Sequence, residues 1–132
     1  MACGVVPTGP GEMSLYHEIA GLRYVLRTDG FISIHAGAAE GEFVAKPLIF
    51  SGRELVLNFS TSAAGSIRVE VITEDGVPQG FALANSKEIF GDSIERVVSW
   101  ENGSDVSTCA GKPVRLRFVM KEADLFSIRF LE

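Results

Sequence analysis

From Glu54 to Ile72 the chain reads ELVLNFSTSAAGSIRVEVI, two runs of alternating apolar residues around a stretch of small ones. Leu55, Leu57 and Phe59 share one face of the first run, with Val56, Asn58 and Ser60 on the other. Ile67, Val69 and Val71 share a face of the second, opposite Arg68 and Glu70. A side-chain period of two belongs to a β-strand, where successive Cβ atoms point to opposite faces. The Ser-, Ala- and Gly-rich link has the composition of a hairpin loop or of a sheet-to-sheet connection. This pair is the expected centre of a β-sandwich.

The rest of the chain repeats the pattern in short pieces. Glu12–Glu18 and Leu22–Thr28 alternate, and Asp29-Gly30 then leads into Phe31–His35. Asp-Gly between alternating runs predicts a hairpin, because both turn residues tolerate positive φ. Phe43–Lys46 is a short strand stopped by Pro47, which has no N–H to give a ladder and so belongs at an edge, a bulge or a strand start. Residues 79–93 are the least regular, Ile94–Trp100 returns to strand, and Ser104–Gly111 fits one helical turn capped by Ser104 or Asp105. Two strands close the chain. Val114, Leu116, Phe118 and Met120 point inward from the first, and Phe126, Ile128 and Phe130 from the second. Many short strands at near-regular spacing, with almost no helical pattern, predict an all-β antiparallel β-sandwich of jelly-roll type.

Bulk properties exclude several functions. A chain of 132 residues is large enough for one core, and a net charge of −5 argues against binding a nucleic-acid backbone. No apolar run approaches the roughly 20 residues of a membrane span. The N-terminus MACGVVPTGPG lacks the basic start and apolar core of a signal peptide. Cys3 and Cys109 are expected as free thiols rather than a bridge, since one pair is no disulfide framework.

Several segments carry a resemblance: VPTGPGEMSLY, LRTDGFISIHAG, ELVLNFSTSAAGSIRVEV, EIFGDSIERVVSWENGSDVS and GKPVRLRFVMKEADLFSIRF. Together they resemble the C-terminal β-sandwich that follows a five-bladed β-propeller in bacterial glycoside-hydrolase-like proteins related to invertases and sialidases. The resemblance implies a lead-in over residues 1–21, the remnant of a propeller's last strands, and a sandwich over 22–132. It also implies a non-catalytic accessory domain whose parent protein is secreted or on the cell surface. The partners it implies are a propeller and a carbohydrate; the alternative is a purely structural interaction or dimerisation module with no ligand, meeting the propeller or another copy of the chain.

The candidate chemistry is sparse. A glycosidase needs two carboxylates about 5–9.5 Å apart, and most acids here sit at turns or on outward strand positions. The two histidines, His17 and His35, have no metal spacing with either cysteine. A sugar site would stack on Trp100 at the end of its strand and be bracketed by outward Asn58, Arg68, Glu70, Arg115 and Arg117. The alternatives are that Trp100 fills the core and that the charged positions dock a partner or pair with each other. Glu88, Asp92 and Glu95 in KEIFGDSIE are the one local group with the oxygen density for a structural calcium, beside the plainer reading of an accidental grouping.

Overall fold

The computed structural model describes residues 33–132 throughout, and of residues 1–32 the backbone of three strands. These are β1 (Ala2–Gly9), β2 (Glu12–His17) and β3 (Leu22–Arg27), an antiparallel sheet in the order β1-β2-β3. They belong to a compact unit spanning Met1–Ser33; a second unit spans Ile34–Glu132. Leu22–Arg27, expected to open the sandwich, pairs with β2 in this three-stranded sheet. The predicted Asp29-Gly30 turn lies outside the described residues; β3 pairs with β2, and the next strand belongs to the second unit.

That unit contains β4 (Ile34–Ala36), β5 (Gly41–Val44), β6 (Glu54–Thr73), β7 (Asp92–Val97) and β8 (Val114–Leu131), all paired antiparallel. Helical structure among the described residues is confined to two 3₁₀ turns, Leu83–Asn85 and Ser107–Cys109. The second begins where the Asp105 carboxylate accepts the Ser107 N–H at 2.8 Å. The chain is thus all-β and antiparallel, as its two-residue period requires.

The Glu54–Ile72 stretch is neither a hairpin nor two strands. It is one twenty-residue strand, β6, paired along its length with the eighteen-residue β8, which merges the two expected closing strands. Residues 54–61 face 131–123 and residues 66–73 face 121–114, so residues 62–65 all stand opposite Glu122. Glu122 adopts the left-handed conformation at φ 43°. Gly65 packs so closely on β8 that a Cβ would sit 2.7 Å from the Lys121 carbonyl oxygen and closer still to that of Glu122. The Ser62 hydroxyl donates to the Glu122 carboxylate at 2.9 Å, tying the outswung residues down. Gly65 is needed here for contact with β8, while residues 62–64 are exposed.

This junction shifts the register between the two long strands while keeping one core. Leu55, Leu57 and Phe59 join Ile67, Val69 and Val71 in a single cluster with Val114, Leu116, Phe118 and Met120. The inward phase of β8 then changes at Glu122, so Ala123 and Leu125 face the core, and changes again at Phe126. Asn58 pairs with Ser127 and Phe59 with Leu125, leaving Phe126 as the extra residue of a bulge. Leu125, rather than the expected Phe126, is therefore the buried residue, while Ile128 and Phe130 pack against the cluster as expected. Each buried side chain of this size contributes about 1.5–3 kcal/mol by leaving water.

Candidate functional site

Trp100 lies inside the core at 1% exposure. Its Nε1–H donates to the Val69 carbonyl at 2.9 Å, and its ring meets Phe81 edge-to-face with centroids 5.1 Å apart. Buried Trp needs such a partner for its N–H. The indole presents no face on which a sugar could stack.

The bracketing residues fall in different places. Asn58 is buried, in the part of β6 flanked by bulges in both β7 and β8. Arg68, Glu70, Arg115 and Arg117 do share the outward face of β6 and β8, because Glu70 pairs in register with Arg117 and Ile72 with Arg115. Three of the four are committed to intramolecular partners. Arg117 donates through Nε to Glu42 at 3.0 Å and through Nη1 to Glu70 at 3.4 Å. The bond to Glu42, and then Glu70, raises the pKa of this guanidinium further, against the opposing effect of burial. Glu70 uses its other oxygen to accept the Leu83 N–H at 2.9 Å. Arg68 reaches Glu40 at 3.4 Å.

These pairs cross strands in a consistent way. Sheet order places β8 between β5 and β6, so Glu40–Arg68 passes over β8, where outward-facing Val119 is buried. Likewise β6 lies between β7 and β8, so Glu95–Arg129 passes over β6 near Val56, outward-facing and only 1% exposed. Long Arg stems cover apolar surface while their heads stay wet. Each exposed pair contributes only about 0–1 kcal/mol as an ion pair. The charged face is a set of clasps over the sheet.

The candidate calcium group, Glu88, Asp92 and Glu95, is not assembled among the described residues. Glu88 and Asp92 are exposed and Glu95 pairs with Arg129. Among the described residues no three His, Cys, Asp or Glu side chains gather as a metal requires. His35 Nδ1 lies 2.9 Å from Asp124 on an exposed strand pair. The Cys109 thiol is free and buried, while the side chains of Cys3 and His17 lie outside the described residues. Two open cavities sit at one end of β6 and β8. One, about 410 Å³, is lined by Thr73–Pro78 and by Thr108, Cys109 and Gly111–Pro113. The other, about 460 Å³, shares Thr73, Glu74 and Pro113 with it.

Glu40 and Glu42, the partners of Arg68 and Arg117, both fall within AGAAEGE (residues 36–42), and nothing in their local sequence marks them. Only the register of β5 on β8 brings them to the arginines. Neither family models, curated proteins nor solved structures give a match to this chain.

Proposed function

We propose that the chain is a non-catalytic accessory module, a β-sandwich of jelly-roll type that serves a larger protein by packing against it. The observation that carries this reading is the closure of the charged sheet face. Arg68, Glu70 and Arg117, which would bracket a ligand, hold Glu40, Glu42 and one another instead. Exposed apolar side chains, above all Ile49 at 67% and Phe90 at 61%, supply surface for a protein contact. The sequence resemblance favours the propeller of a glycoside-hydrolase-like protein as the protein served, with a second copy of the chain as the alternative.

The test is affinity electrophoresis through gels containing neutral polysaccharides, with aryl glycosides assayed for turnover. The reading predicts unretarded migration and no turnover. Retardation that disappears in Arg117→Ala, or hydrolysis by the chain alone, would contradict it. Sedimentation velocity over a concentration series then separates the partners, since reversible dimerisation identifies a second copy and a monomer at all concentrations a different protein.

A further inference from the structure

The described arginines are of two kinds. Arg53, Arg68, Arg117 and Arg129 each have a carboxylate partner, and Arg96 lies 5.5 Å from the centroid of the Phe59 ring. Arg115 has neither. It is exposed on the outward face of β8, and no described carboxylate lies within ion-pair reach.

What stands opposite Arg115 is another cation. The Ala45 N–H donates to the Leu116 carbonyl at 2.9 Å, and Leu48 and Val114 exchange both backbone bonds at 2.8 Å. Lys46 and Pro47 therefore oppose the single residue Arg115 in a bulge, where a proline costs no ladder bond. Lys46 is exposed and likewise without a described ion-pair partner. Like charges directly opposite on a sheet are destabilising, and no described carboxylate forms an ion pair with either member of this pair. Beside them opens the cavity of about 460 Å³, walled by Pro47, Ile72, Pro113, Val114 and Arg115, with Thr73 and Glu74.

We propose that this cavity binds a small ligand bearing one oxyanion, a carboxylate or a phosphate, held by Arg115 on its wall, with Lys46, opposite Arg115 in register, adding a second positive charge. The guanidinium fork matches two oxygens of such a group, and the ammonium adds a point charge beside it. Glu74 on the wall disfavours a polyanion and suits a ligand that carries hydroxyl donors as well. Binding relieves the repulsion between the two cations.

The proposal is independent of the docking role and is tested on the full chain. Amide and Arg side-chain NMR signals are followed at fixed ionic strength during titration with sodium phosphate, with galacturonate, and with neutral galactose. Saturable shifts at Lys46, Arg115, Thr73 and Val114 are expected with an anion and not with galactose. Saturation by phosphate alone or galacturonate alone names the anion. R115Q and K46Q should each weaken binding by about tenfold or more, yet melt above the parent at low salt because the repulsion is gone. Shifts that rise linearly, shifts spread equally to Lys87 and Lys121, or an R115Q chain that binds like the parent would overturn the site.

Discussion

The two halves of β6 carry the same alternation and end in different surroundings. From Glu54 to Phe59 both faces are buried: Leu55, Leu57 and Phe59 in the core, Val56 and Asn58 on the outward side. From Ser66 to Thr73 burial alternates as the sequence does, with Ile67, Val69 and Val71 inside and Arg68 and Glu70 only partly covered. The period says which residues share a face. It does not say what lies over that face, which neighbouring strands and their cross-strand ion pairs decide.

The contrast is sharpest when one charge is placed on each outward face. Val56→Asp would bury a carboxylate without a partner and should cost about 3–5 kcal/mol. Ile72→Asp, on the half-buried outward face of the other half, should cost about 1 kcal/mol or less. Urea unfolding of both variants measures the difference, and equal losses would mean the two faces are covered alike. At the junction between the halves, Gly65→Val forces a side chain against the Lys121 and Glu122 carbonyls and should cost about 3 kcal/mol. A surface loop at 62–65 would instead accept the valine, leaving the urea midpoint unchanged.

The smallest effect concerns the entry to β6, where Asp105 faces Arg53 at 3.5 Å. Hydrogen bonds from the Ser107 side chain and backbone, and then Arg53, hold the Asp105 carboxyl below its usual 3.8. A carboxyl whose folded pKa is depressed contributes stability above its unfolded value and loses it as pH falls through the folded one. Asp105→Ala should therefore melt slightly below the parent at neutral pH, with the gap closing as pH drops below about 4. A gap constant from pH 7 to pH 3 would assign the loss to packing.

Much of the architecture was legible from the residues. The inward sets of β6 and of the first half of β8 follow from alternation alone, and the expected bulge, edge or strand-start role of Pro47 resolves to a bulge. Three features were not legible. Thr61–Gly65 has the composition of a turn, and only the close approach of Glu122 makes it a register shift within a continuous strand. The extra residue at Phe126 reverses which side of β8 is buried, and nothing within ADLFSIRF announces it. Arg68, Glu70 and Arg117 looked available because Glu40 and Glu42, some thirty and seventy residues away, become neighbours only through the register of β5. Of the proposed anion site, Arg115 was already among the candidate ligands. Lys46 was not, since its place opposite Arg115 depends on the same register.

The central structural claim is that Glu54–Thr73 is a single strand laid along β8, so that its charged face is closed by neighbouring strands. Nuclear Overhauser contacts between backbone protons test it directly. The account predicts contacts of Leu57 with Ile128 and of Val69 with Phe118, and none between Leu57 and Val69. Contacts between Leu57 and Val69, as a hairpin closed at 61–65 would give, together with absence of the Leu57–Ile128 contact, would contradict it.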